Sequence, residues 1–249
     1  MSIIIKSEQE IELMRRAGRI VAAVLDILKS RVKPGMKTEE LDIIAAKEVE
    51  RRGAKPSFKG YRDYPATICV SVNDEIVHGI PGKRVMREGD IVSIDFGAIY
   101  RDYHGDAAVT VGLGQVSHKA KELMETTEGA LKAGIAAAHA GAKLGDISAA
   151  IQQYAESHGF SVIREYTGHA IGRQMHEEPQ VPNFGIPGEG PVLQKGMTFA
   201  LEPMVSTGDW HTRLGSNHWT VYTSDGSLAA HFEHTIAITD GEAEVLTAL

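Results

Sequence analysis

Apolar residues recur with a period near 3.6 over residues 7–32, where Ile11, Met14, Ala17, Gly18, Val21, Leu25 and Leu28 fall on one stripe. That spacing predicts an amphipathic helix with its apolar face turned to a core. Pro34-Gly35 ends it, and Thr38 is read as the cap of a second helix running to about Arg52. The period then shortens. ATICVSV (66–72), IVSIDFGAI (91–99) and AAVTVGL (107–113) read as strands. Helical spacing returns over about 117–138 and 145–157, and the chain closes on strand-like TFALEPMV, HWTVYT and HFEHTIAIT.

Helix–helix–strands therefore occurs twice. Gly35, Lys37, Leu41 and Gly53 superpose on Gly141, Lys143, Ile147 and Gly159, 106 residues later. EGDIVSID superposes on KGMTFALE at an offset of 107, which brings Asp95 onto Glu202, and HGIP from His78 returns as HEEP from His176. Matches in this order predict a duplicated half-domain, roughly 7–115 and 116–249, within one domain spanning 1–249. Two similar halves that face one another place a pocket at their junction.

Four acids interrupt the apolar strands: Asp95, Asp106, Glu202 and Glu233. An ionised carboxylate buried without a partner costs several kcal/mol (roughly, after relaxation) or must take up a proton. A turn centred on Tyr100 and Arg101 sets Asp95 directly opposite Asp106, where like charges repel. No equal set of Arg or Lys accompanies the acids, so satisfied core carboxylates explain them poorly. Oxygen-rich donors with one or two imidazoles suit Mn, Fe, Co or Zn. Four carboxylates carry a charge that two divalent ions cancel, whereas a single ion would leave an excess in a poorly solvated site. A dinuclear centre is expected.

Of the histidines, His169 and His176 lie in a Gly-interrupted segment suited to approach a cleft, and spacing leaves open which of them binds metal. His118, His139 and His158 fall on helix surfaces as solvated groups. His231 and His234 flank Glu233 and are assigned to the opposite strand face. The single cysteine, Cys69, excludes an intrachain disulfide and a cysteine-based zinc site, and suits a reducing compartment. A pairing of Cys69 with His78 as nucleophile and base has no motif behind it, and an inert core thiol is the better reading. A net charge of −7 makes DNA and other nucleic acids poor partners, and no apolar run approaches the length of a membrane span or signal segment. A cytoplasmic monomer is expected.

VNDEIVHGIPG, IVSIDFGAIYRDYHGDAAVT, GHAIGRQMHEEPQVP, GMTFALEPMV and HFEHTIAIT together resemble the type I methionine aminopeptidases, in order and spacing, over about residues 3–248. The resemblance implies an α/β (α+β) pita-bread fold, with pseudo-twofold half-domains and an antiparallel sheet flanked by helices. It implies hydrolytic removal of the initiator methionine from nascent polypeptides when the second residue is small; whether the chain also makes a transient ribosome contact is left open by the sequence. On the matching positions Asp95 would chelate one ion, His169 and Glu202 the other, and Asp106 and Glu233 both. His78 and His176 match the family's catalytic histidines, with Glu202 as a further proton carrier. The methionine pocket would be Phe58, Tyr61, Tyr64, Cys69, Met175 and Trp219. Met175 departs from members that carry an aromatic residue there, and the long insertion of type II enzymes is missing from the second half. The rivals are a proline-specific aminopeptidase or dipeptidase of the same fold and a non-catalytic pita-bread binding protein.

Overall fold

The computed structural model describes residues 3–249. Four helices form where the 3.6-residue period predicts them: α1 (Glu8–Arg31), α2 (Thr38–Arg51), α3 (His118–Ala137) and α4 (Leu144–Ser157). Helix α1 starts at a capping box, with Ser7 Oγ accepting from Glu10 N–H and the Glu10 carboxylate accepting from Ser7 N–H. All seven stripe residues are buried, joined by Val24. Helix α2 departs from expectation at its start. Lys37 is the cap residue, and its N–H donates to the Glu40 carboxylate at 2.7 Å. Thr38 is instead engaged with Gly82, donating to its carbonyl and accepting from its N–H. The same device recurs in the second half, where Lys143 N–H donates to Asp146 at 2.7 Å. Lys37 bridges Val85 and Lys143 bridges Val192 in matching fashion.

A nine-stranded antiparallel sheet runs through both halves. At its centre the hairpin Ile91–Tyr100/Tyr103–Gly112 pairs with Glu233–Ala237, which pairs in turn with Thr198–Leu201 and then Thr167–Ala170. Helices α1 and α2 pack on the first half through Val21, Leu28, Leu41, Ile94 and Phe96, and α3 and α4 on the second through Leu123, Ile147, Phe199 and Ile236. Where α1 crosses the sheet, backbones touch: a Cβ on Gly105 would lie 2.8 Å from Gly18 N. Only glycine fits there.

The hairpin register corrects the expectation of directly opposed acids. The turn is Arg101-Asp102, both at positive φ (47° and 66°), and Tyr100 pairs with Tyr103. Two central residues of that hand match the right-handed twist of the strands. Asp95 therefore sits opposite Ala108, and Asp106 opposite Gly97. The acids are diagonal neighbours on one face.

Several strands are shorter than their apolar runs. The first begins at Cys69, and HWTVYT forms a strand only over Val221–Thr223. TFALEPMV breaks at Glu202-Pro203, and HFEHTIAIT breaks at Phe232, separating Ala229–His231 from Glu233–Ala237. Both breaks fall beside an acid of the site.

Candidate metal centre

Each acid reaches the junction of the halves from a different strand. Asp95 lies in Ile91–Tyr100, Asp106 in Tyr103–Gly112, Glu202 directly after Thr198–Leu201, and Glu233 at the start of its strand. Register aligns them: Ala108 faces Asp95 on one side and Glu233 on the other. His169 pairs with Ala200, two residues before Glu202. His169 and His176 belong to neither one helix nor one extended run. They sit on a hairpin formed by Thr167–Ala170 and Glu177–Pro182, with ring centroids 4.2 Å apart.

The four carboxylates are poorly satisfied. Asp95 Oδ1, Asp106 Oδ1 and Glu233 Oε1 are buried with no hydrogen-bond partner among the described residues. Among the described residues the charge partners of the group are imidazoles alone: His169 Nε2 lies 3.5 Å from Glu202 Oε1, and His231 Nε2 lies 3.8 Å from both Glu202 and Glu233. Burial, reinforced by mutual repulsion, holds Asp95, Glu202 and Glu233 well above the ordinary carboxylate range, and burial raises Asp106 too. Burial pushes His169 down to about 3, so it is neutral at pH 7 and offers a lone pair. Ligand atoms of Asp106, His169 and Glu233 all lie within 4.8 Å of one another. Orphaned oxygens and a neutral imidazole fit a divalent cation, which would supply the missing positive charge.

The acids floor a cavity of about 140 Å³. Its lining brings together every site residue expected from the sequence: the five candidate ligands, His78, His176, Phe58, Tyr61, Tyr64, Cys69, Met175 and Trp219. Phe58, Tyr64, Cys69 and Met175 form a buried apolar cluster with Tyr61 and Trp219 against it. Tyr64 is pinned by its hydroxyl, which donates to the carbonyls of Ile68 and Gly79, and its ring meets Trp219 edge-on at 5.0 Å. Gly97 makes room for this wall, since a Cβ there would come within 2.9 Å of Phe58. Cys69 pairs with Asp95 across the strands, and burial raises its thiol, so it is a wall and no nucleophile.

His78 and His176 both line the cavity. His78 follows the strand Glu75–Val77 with φ at +61°, a left-handed conformation rare for a non-glycine residue and concentrated at functional sites. Its ring meets Trp219 and Tyr166 edge-on. His176 Nδ1 lies 2.9 Å from the Tyr61 hydroxyl, and the two rings stack. Desolvation lowers both imidazoles to about 4, in His176 at a residue whose surface is otherwise exposed.

Two residues near the site were not expected. Arg62, at positive φ in the turn Tyr61–Asp63, lines the mouth. His231 corrects the assignment to the far strand face: residues two apart share a face, and its ring reaches Glu202 and Glu233. That spacing was the available signal. His234 does point away, with its Nδ1 2.9 Å from Thr247 Oγ1, and His118, His139 and His158 are exposed on or beside the helices.

The family model for metallopeptidase family M24 matches residues 12–240. A methionine aminopeptidase of Clostridium acetobutylicum is 51% identical over 246 residues, covering 98% of both chains. Methionine aminopeptidase 1 of Bacillus subtilis is 51% identical over 245 residues, covering 98% of this chain and 99% of its own. The crystal structure of a methionine aminopeptidase from Thermotoga maritima superposes with a TM-score of 0.98 at 48% identity, over 100% of each chain. A prolidase from Pyrococcus furiosus shares the fold at a TM-score of 0.80 and 23% identity, with 66% of its chain covered.

Proposed function

The chain belongs to metallopeptidase family M24, with the pita-bread fold, and from that premise we propose how it acts as a methionine aminopeptidase. It is a metallo-exopeptidase that hydrolyses the bond after an N-terminal methionine. One observation carries the reading: four buried-site acids, three of them with an orphaned oxygen, and neutral imidazoles converge on a cavity of about 140 Å³ that is walled in part by an apolar cluster.

In this reading residues 1–249 work as one catalytic domain, and the ions are two in number, drawn from Mn, Fe, Co and Zn. Asp95 would hold one ion, His169 and Glu202 the other, and Asp106 and Glu233 both. Ions held there would supply Lewis acidity toward the scissile carbonyl and an acidified water. The chain's own groups do the rest. Phe58, Tyr61, Tyr64, Cys69, Met175 and Trp219 take the thioether side chain and exclude water. Tyr61 occupies His176 Nδ1, which leaves Nε2 to donate to the oxyanion as it develops. His78, fixed by its left-handed backbone, contacts the scissile amide. Glu202 carries the proton to the leaving amine. Apolar pockets discriminate by only about 1–3 kcal/mol per methylene, so preference for methionine is strong but incomplete.

The substrate is the N-terminal methionine of nascent chains, met as a cytoplasmic monomer in transient contact with the ribosome. This location agrees with a single buried thiol and with the lack, among the described residues, of any helix long and apolar enough to cross a membrane. His78 and the turn bearing His176 crowd the second substrate residue, so only small ones keep the carbonyl in place. A misplacement of about 1 Å costs on the order of 10² in rate. Met-Ala-Ser is therefore cleaved, Met-Leu-Ser is nearly inert and Leu-Ala-Ser is poor, and EDTA abolishes all turnover. Equal turnover of the three peptides would replace this reading with a general aminopeptidase. Cleavage of Ala-Pro peptides alone would point to the proline-specific relatives.

A further inference from the structure

His231 is 1% exposed beside the acids of the cavity, and its Nε2 has no hydrogen-bond partner among the described residues. Buried ring nitrogens are paired in the large majority of cases, so an orphan invites a reason. The backbone that carries the ring is held firmly. The His231 N–H donates to Thr110 Oγ1 at 2.9 Å, and the same hydroxyl donates back to the His231 carbonyl at 2.8 Å. Thr110 lies on the strand that carries Asp106, and His231 pairs in register with Met204, two residues after Glu202.

The surrounding oxygens are sorted. Glu202 turns Oε1 toward His169 Nε2 at 3.5 Å and Oε2 toward His231 Nε2 at 3.8 Å. Glu233 turns Oε2 toward His231, also at 3.8 Å, and buries Oε1 without a partner. A lone pair on Nε2 facing two carboxylate oxygens would add to the repulsion already there. A proton on that nitrogen makes it a donor to both. The separation exceeds a charge-assisted hydrogen bond by about 1 Å, which small torsions of a glutamate side chain cover once the carboxylates repel less.

We propose that His231 is a positioning residue, whose Nε2–H donates to the Oε2 oxygens of Glu202 and Glu233 and so fixes how both carboxylates face the metal site. The inference rests on reading those two glutamates as ligands. His231 touches neither substrate nor ion; it acts by fixing the orientation of each carboxylate. Partners of this kind typically change metal affinity or activity by about 10–100-fold.

Calorimetric titration of Mn²⁺ into the metal-free chain tests this. His231→Gln places an amide N–H where Nε2 stands and keeps the affinity within about threefold of the parent. His231→Leu has no donor and weakens Mn²⁺ binding by about 10–100-fold. At saturating Mn²⁺ its kcat for Met-Ala-Ser falls while KM holds. If His231→Leu fails to fold, His231→Asn, whose amide stops short of the carboxylates, carries the same expected loss. Equal Mn²⁺ affinity in the parent and the donor-less variant overturns the proposal, as does a Gln variant as weak as Leu. A parent that binds no Mn²⁺ rejects instead the ligand assignment beneath it.

Discussion

Replacing Asp106 by Asn should stabilise the metal-free chain while abolishing its response to metal. Ligand atoms of Asp106 and Glu233 lie within 4.8 Å of one another, and both residues are buried. Two unit charges at that distance, in an effective dielectric near 20, repel by roughly 3.5 kcal/mol. Taking up a proton instead, as the raised folded-state values favour, still costs about 4 kcal/mol at pH 7 relative to the unfolded chain, where the aspartate is ordinary, so protonation offers no cheaper escape. Asparagine keeps the shape, can keep the bond accepted from Ala107 N–H, and can donate to Glu233. After the desolvation of its amide, a gain of about 2–3 kcal/mol remains. For a chain of this size that is roughly 5–10 °C in Tm. Thermal unfolding in EDTA at pH 7.5 reads this directly. Adding Mn²⁺ at a hundred times its Kd should raise the parent by about 2.7 kcal/mol and leave Asp106→Asn unmoved, with hydrolysis lost. The reasoning fails if the variant is less stable than the parent in EDTA, or if it takes up a full complement of metal. Either result would make Asp106 a satisfied core carboxylate.

Stability against pH should separate the two classes of buried group. Asp95, Glu202 and Glu233 have raised folded-state pKa values, so the folded chain retains protons the unfolded chain has lost, and stability falls as pH rises through those values. His78 and His176, lowered to about 4, and His169 and His231, lowered to about 3, act oppositely, adding stability as pH rises toward their ordinary value. Above pH about 6.5 these four imidazoles are neutral in both states, so of the two sets only the carboxylates contribute. The EDTA-treated chain should therefore lose stability from pH 6.5 to 8.5 and the Mn²⁺-loaded chain should not; a flat or rising profile in EDTA would contradict this. His176→Ala should keep its metal and lose about 10²–10³ in kcat, because one donor to the developing oxyanion is gone. Loss of one equivalent of metal with KM unchanged would move His176 into the ligand set.

The sequence alone determined what depends on local period and on the cost of burying charge. Helix α1 was legible because a 3.6-residue stripe has one folded solution, and its buried face is the expected one. The acids were legible because a carboxylate inside an apolar strand demands compensation wherever the strand lies, and four such demands with few buried cations leave little but metal. The cavity wall and its histidines came from resemblance; from composition alone, Phe58 or Met175 would pass as core.

Tertiary structure decided what period cannot carry. Shifting the Asp95–Asp106 hairpin from the expected register to the observed one keeps both acids on the same face, so an apolar alternation of two is blind to the difference. The sign of φ at Arg101 and Asp102 chose between them. His169 and His176 meet because their segment folds into a hairpin around a turn, an arrangement that neither a helical nor an extended phasing describes. His231 joined the site for a similar reason. The spacing of two gives His231 and Glu233 a shared face, but the chain breaks at Phe232 and passes from one sheet to another, and the packing of Ala229–His231 on Met204–Ser206 sets its ring against Glu202 and Glu233. Distances between strands remote in sequence are set by packing, and packing belongs to the whole chain.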